Sequence, residues 1–307
     1  MDLLNKRTKG AHVLMLLLLM IWGLEYVAAK WALAKLDIFT LIGFKYILAI
    51  MLIGTIKFAS KTERKNFIRK KDIPVFITCA IAGEIFYYFC EYEAMDYMPV
   101  SLITMILAFV PAVSVVTEKL LYKRSPTMPI IAGIIMSVLG IALIIGADFR
   151  ILFQGRIIGY ILCAGAVLSW NLYNFVTDHL SGGYGTITIA FNQILCTLLL
   201  TFPYMISHLP AAYQLTPRVV GGVLFIGILS AGIGFMIYVY SLSILKPTTM
   251  AVYSNFLPVT TTIFGWLILG EMISPLQILG GVVVISAGYI VIREKGKLEG
   301  PSNDRET

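Results

Sequence analysis

Apolar runs long enough to cross a lipid bilayer follow one another along almost the whole chain, separated by short clusters of charged and turn-forming residues. A helix needs about 20 apolar residues to span the hydrocarbon layer. On that length the pattern predicts ten helices, roughly 11–34, 38–58, 73–95, 99–121, 129–147, 157–177, 185–207, 218–243, 247–270 and 275–293. The second half of the pattern echoes the first. An offset of 147 sets Pro258 on Pro111, Phe256 on Phe109, Leu267 on Leu120, Ile278 on Ile131 and Gly280 on Gly133. The same offset carries the run from Phe44 to Leu48 onto Phe191 to Leu195, and one residue more sets Trp22 on Trp170 and Leu24 on Leu172. One offset shared by separate segments indicates duplication, because apolar sequence alone yields only scattered Leu and Ile coincidences.

The expected fold is therefore an all-α integral membrane protein of ten transmembrane helices in two five-helix repeats, 11–147 and 157–293, with a polar cytoplasmic tail at 294–307. An odd helix number makes the second repeat enter from the opposite side, so the repeats are inverted, an architecture associated with alternating-access carriers. Lys6, Arg7 and Lys9 before the first run, with Val27-Ala28-Ala29 after it, have the outline of a cleavable leader. Because Trp22 and Leu24 belong to the repeat, this segment is expected to be a retained span.

Composition agrees with the pattern. The 307 residues are 58% hydrophobic and 13% charged, with a mean hydropathy of +0.85. Soluble domains are about 45–50% apolar and about 25% charged, and no room remains here for a sizeable soluble domain. The net charge of +7 does not point to nucleic acid, since Lys and Arg lie in clusters between apolar runs. Counting them sets the orientation. With the N-terminus inside, eighteen fall on the inner side, seven of them in the loop from Lys57 to Lys71, and five (Lys30, Lys35, Arg150, Arg156 and Arg218) on the outer side. Both termini are thus expected in the cytoplasm, in the cell membrane.

Trp22-Gly23, the AMDYMPVS turn from Ala94 to Ser101, Pro111 and Pro258, and Leu269-Gly270-Glu271 ahead of Gly280 and Gly288 together resemble the drug/metabolite transporter superfamily, EamA type. The resemblance covers about residues 11–293. It implies ten helices in two inverted repeats and an exporter or permease of small metabolites, without naming a substrate. Two positions depart from it: Arg124 stands where the second copy has Glu271, and Lys45 where the family often has arginine.

The candidate chemistry lies in charges at depth. An ionised side chain at the bilayer centre costs about 2.5–3.5 kcal/mol on insertion scales, so such residues face a wet cavity or a partner. Glu84 falls at the middle of the third span, and Glu91 seven residues on shares its face, with Tyr88 between them and Tyr92 beside them. Glu25 and Lys45 lie at similar depth in the first two spans and suggest an ion pair, either static or broken by substrate or a proton. The second copy is neutral at the matching places: Tyr173 falls on Glu25, Asn192 on Lys45 and Tyr238 on Glu91. Asn171, Asn174, Gln193, Tyr240 and Asn255 add hydrogen-bonding groups. A cavity charged on one side and polar on the other suits a small solute bearing an ammonium group, which carboxylates and tyrosine faces hold by charge and cation–π attraction.

Pro111 and Pro258 are expected to bend their helices, either as hinges or as fixed kinks. Glu271 ahead of Ser274-Pro275 reads as part of a helix start. Glu118, near Lys119 and Lys123, reads as an interfacial salt bridge, and Glu93 and Asp96 likewise. The four cysteines lie within apolar runs without a Cys-x-x-Cys pair, and His12, His179 and His208 have no metal-ligand spacing. No Gly-x-x-x-x-Gly-Lys-Ser/Thr run is present. No cofactor, metal or enzymatic centre is expected. The partners are a small-molecule solute, membrane lipid and, if coupled, protons exchanging at Glu84, Glu91 or Glu25. A non-transporting membrane sensor or assembly factor remains the alternative, and oligomeric state stays open.

Overall fold

The computed structural model describes residues 2–98, 100–145, 155–211, 215–269 and 273–298, with the side chains at 2–5, 26, 100, 101, 104, 265 and 269 set aside. Arg150, Gly270, Glu271 and the tail beyond Leu298 lie outside the described residues. Among the described residues every regular element is a helix: α1 (Asp2–Leu33), α2 (Ile38–Ala59), α3 (Ile73–Cys79), α4 (Tyr87–Ala94), α5 (Val100–Leu107), α6 (Val110–Tyr122), α7 (Met128–Ile144), α8 (Ile157–Ser181), α9 (Thr186–Ser207), α10 (Pro217–Leu224), α11 (Phe235–Ser254), α12 (Leu257–Leu269) and α13 (Pro275–Leu298). Wider π-helical stretches, Ala80–Phe86 and Phe225–Gly234, join α3 to α4 and α10 to α11. Among the described residues eight helical runs, some of them joining two of these elements, are long and apolar enough to cross a membrane. Expected spans five and nine appear as shorter apolar helices, α7 with 17 residues and α12 with 13.

The prolines act differently from the sequence expectation. Pro111 stands in the first turn of α6, after a break at Ala108–Phe109, and Pro258 in the first turn of α12, after a break at Asn255–Phe256. In a first turn the missing N–H has no intrahelical partner to lose. Each proline therefore opens a new helix instead of bending one. A third interruption falls at Lys246, whose φ of 67° and ψ of 157° break α11 just before Pro247, where the helical region is sterically disfavoured.

The chain forms two compact units, Met1–Glu93 with Leu172–Lys246, and Ala94–Asn171 with Pro247–Thr307. In the first, α2 packs on α9, α1 packs on α10, and both α1 and α2 meet Phe225–Gly234. Lys57, counted with the exposed basic loop on sequence, is buried. Its Nζ donates to the Glu63 and Asn66 carbonyls at 2.8 Å each and to Thr188 Oγ1 at 2.9 Å, tying the loop to α9.

The second unit is built on α7 against α13. The helices approach so closely at two glycines that a Cβ on Gly280 would lie 2.5 Å from the Gly140 carbonyl oxygen and 2.7 Å from the Ile144 amide nitrogen. Around this crossing Ala108, Ile141, Ile144 and Val284 form one apolar cluster, and Val115, Ile130, Ile134, Val252 and Val291 another. The start of α13 is a capping box: Ser274 Oγ accepts from the Gln277 amide at 3.2 Å, and Gln277 Oε1 accepts from the Ser274 amide at 2.8 Å. Glu118 pairs with neither Lys119 nor Lys123. It is buried, and Lys295 donates to both its oxygens at 2.6 Å while Thr248 donates to Oε2. This partner became available because α13 continues to Leu298, carrying Lys295 on a helix where the sequence suggested tail.

Candidate functional site

Three carboxylates and one ammonium lie buried inside the first unit, on the elements the sequence assigned to spans one to three: Glu25 on α1, Lys45 on α2, Glu84 in Ala80–Phe86 and Glu91 on α4, with exposures of 7%, 2%, 2% and 4%. Lys45 stands within electrostatic reach of all three carboxylates. It makes no direct ion pair with Glu25, contrary to the sequence expectation. Its Nζ lies instead over the Tyr88 ring, 3.4 Å from the centroid, and 4.8 Å from that of Tyr46. Tyr88 packs edge-on against Tyr87 and tilted against Tyr92. Tyr87 donates to Glu91 Oε1 at 3.3 Å. Glu25 Oε2 takes a short hydrogen bond from Ser230, while Glu25 Oε1 has no partner. Glu84 has no hydrogen-bond partner among the described residues.

A polar network from α8, α9 and α11 stands in the same unit. Tyr238 donates to Asn174 Oδ1 at 2.6 Å, and Asn174 Nδ2 is left without a partner. Tyr173 donates to Gln193 Oε1 at 3.3 Å, and Gln193 donates to Thr177 at 2.8 Å. Asn192, at the place matching Lys45, donates to the Thr188 carbonyl on its own helix at 2.7 Å. Contacts join the two groups: the Trp22 and Tyr238 rings lie 5.3 Å apart, and Tyr173 packs so close over Gly83 that any Cβ there would overlap its ring. Glu84 is the next residue along, so its position depends on a glycine that admits the tyrosine.

Asn255 belongs to the second unit, at the break before α12, and donates to Ser137 at 2.8 Å. Asn171 does too, bonded to Ser114 and Thr117. Pro111 and Pro258 also lie there. Sequence reasoning missed Ser230 and Tyr46. Ser230 is one serine in a glycine-rich apolar run, and nothing in its spacing marks it as the partner of Glu25. Tyr46 adjoins Lys45 in sequence, and its buried hydroxyl has no partner.

Chemically, a desolvated ammonium held on tyrosine faces among carboxylates, beside unpaired acceptor and donor atoms, can exchange hydrogen bonds and charge with a small polar solute.

Comparison with known proteins identifies the family. The EamA-like transporter family matches residues 9–146 and again 157–293. An uncharacterized transporter of Archaeoglobus fulgidus is 21% identical over 274 residues, 89% of this chain and 95% of that protein. The uncharacterized transporter YvbV of Bacillus subtilis is 21% identical over 295 residues, 95% and 94% of the two chains. A probable terminal-alkyne amino-acid exporter of Streptantibioticus cattleyicolor is 21% identical over 227 residues, 74% and 75% of the two. One solved crystal structure superposes with a TM-score of 0.77 over 95% of this chain and 99% of that one, at 16% identity, which shows a shared fold alone.

Proposed function

This chain belongs to the EamA-like transporter family, whose members are transporters and not enzymes, and from that premise we propose that it is a secondary carrier of a small organic solute bearing an amino group. The observation that carries the reading is the burial of Glu25, Lys45, Glu84 and Glu91 together with Tyr88 in one helical unit. Charges so placed are costly in a membrane and are kept where a solute or ion uses them. The solute class is amino acids, amines or related metabolites. The relative named as an amino-acid exporter supports it.

The carrier works by alternating access on ten spans in two inverted repeats, 11–147 and 157–293. Helix spacing supports duplication: α6 and α12 both have 13 residues and start 147 positions apart, as do the starts of α7 and α13. The offset also carries residues 80–86 onto 227–233, inside the second π-helical stretch. The excess of Lys and Arg on one side supports a location in the cell membrane with both termini in the cytoplasm. Glu84, Glu91, Glu25, Lys45, Tyr88, Tyr92, Asn174, Asn192 and Tyr238 are the residues of the site in the first unit, and in the second the breaks at Pro111 and Pro258 absorb the change of state. Protons are the coupling ion.

The test is uptake of labelled amino acids, polyamines and small metabolites into proteoliposomes, with and without a pH gradient, for wild type and Glu84→Gln. Saturable, gradient-dependent flux that fails in the variant is the expected result. Binding without flux, or flux indifferent to Glu84, overturns the proposal.

A further inference from the structure

A buried ammonium ordinarily lies against a carboxylate, because a charge-assisted hydrogen bond recovers part of the lost hydration. Lys45 has three carboxylates within electrostatic reach, on α1, Ala80–Phe86 and α4, yet its Nζ is on the Tyr88 and Tyr46 rings and hydrogen-bonds to none of the described residues. Acceptor capacity around it is unused: Glu25 Oε1 and the Glu84 carboxylate have no hydrogen-bond partner there. Tyrosine faces with carboxylates behind them form the usual recognition surface for a ligand ammonium. Here the chain supplies that ammonium itself.

Building on the carrier reading, we infer that Lys45 is a tethered stand-in for the solute's cation: its ammonium fills the Tyr88 face in the empty protein and gives way when an amine binds. Two unit positive charges cannot share one ring face, so an incoming amine must displace Lys45. The displaced lysine stays anchored on α2 and keeps the carboxylates compensated during the exchange. An amine arriving there finds the Tyr88 face and the free oxygens of Glu25 and Glu84. The site thus takes solutes by their ammonium end, and Lys45 lowers affinity for them while permitting release. The opposite arrangement, in which Lys45 attracts the carboxylate of a zwitterion, makes the lysine a source of affinity.

The two give opposite signs in one experiment. Putrescine, phenethylamine and glycine are titrated calorimetrically into the purified full-length protein in detergent, with size exclusion as the folding control. Lys45→Met is expected to tighten binding of the two amines about tenfold, the scale of a desolvated cation–π contact. Tyr88→Leu is expected to weaken amine binding about tenfold. Unchanged or weaker amine binding in Lys45→Met overturns the inference, as does loss of glycine binding in that variant or no binding by any probe. Should Lys45→Met not fold, unchanged amine affinity in Tyr88→Leu overturns it equally. Because binding is read without flux, a protein that follows this order but moves nothing across vesicles refutes the carrier reading and leaves this inference standing.

Discussion

Replacing Lys295 by Met leaves Glu118 buried with a hydrogen bond from Thr248 in place of its ion pair, and the cost of that stranding can be bounded. The pair is short and two-pronged at 2.6 Å, with side-chain exposures of 6% and 11%. At an effective dielectric of about 20, unit charges about 3 Å apart attract by about 5–6 kcal/mol. Desolvation of both groups offsets most of this, so the pair contributes little net stability. Removing one partner is different, because the desolvation of the other is still paid without compensation: about 3–5 kcal/mol. The expected order is therefore large losses for Lys295→Met and Glu118→Gln alone, and near-neutrality for Glu118→Leu combined with Lys295→Met. Unfolding in mixed detergent and SDS micelles, followed by far-UV circular dichroism and tryptophan fluorescence, measures all three on one protein. A loss below about 1 kcal/mol in both single variants, or a double variant that loses the sum of the two, refutes the argument that charge stranding governs this site.

Three further outcomes follow from the packing. Gly280→Ala is expected to cost about 1–3 kcal/mol, because its Cβ would meet backbone atoms of Gly140 and Ile144 that cannot move without separating α7 from α13, while Gly221→Ala, whose Cβ meets nothing within 4 Å, stays neutral in the same thermal unfolding assay. Ser230→Ala removes the hydrogen bond to Glu25 and leaves neither oxygen partnered, costing about 1–3 kcal/mol. Ser230→Thr is expected to retain most of it, and equal melting temperatures for all three proteins would count against the contact. Lys57→Met loses three hydrogen bonds that hold residues 63–66 to α9, so trypsin is expected to cut after Arg64 and Lys65 at least about tenfold faster than in wild type, and an unchanged digestion rate would show that the loop is held otherwise.

What the sequence reveals of such a fold is depth. Apolar length placed the second span at 38–58 and the seventh at 185–207, and the helices run Ile38–Ala59 and Thr186–Ser207; the same counting put Glu25 and Lys45 at one level. Azimuth is another matter, because it depends on helical register and neighbours. Glu84 and Glu91 share a face by seven-residue spacing only if the helix between them is regular, and the structure has a π-helical stretch there through Phe86. One extra residue in a turn rotates everything beyond it by about 100°. Glycines mark the stretch without deciding its hydrogen bonding: Gly83 is required by the Tyr173 ring of another helix, a contact no local pattern contains. The ion pair read for Glu25 and Lys45 failed for the same reason: equal depth is compatible with any rotation, and packing turned Lys45 towards Tyr88 and Glu25 towards Ser230. Lys295 shows the converse. Its polar neighbours read as tail, but a buried Glu118 within reach gives the last turns of α13 a partner that local sequence cannot supply. In a helical membrane protein, composition thus finds the charged residues that matter, and the tyrosines and glycines of neighbouring helices decide what those charges face.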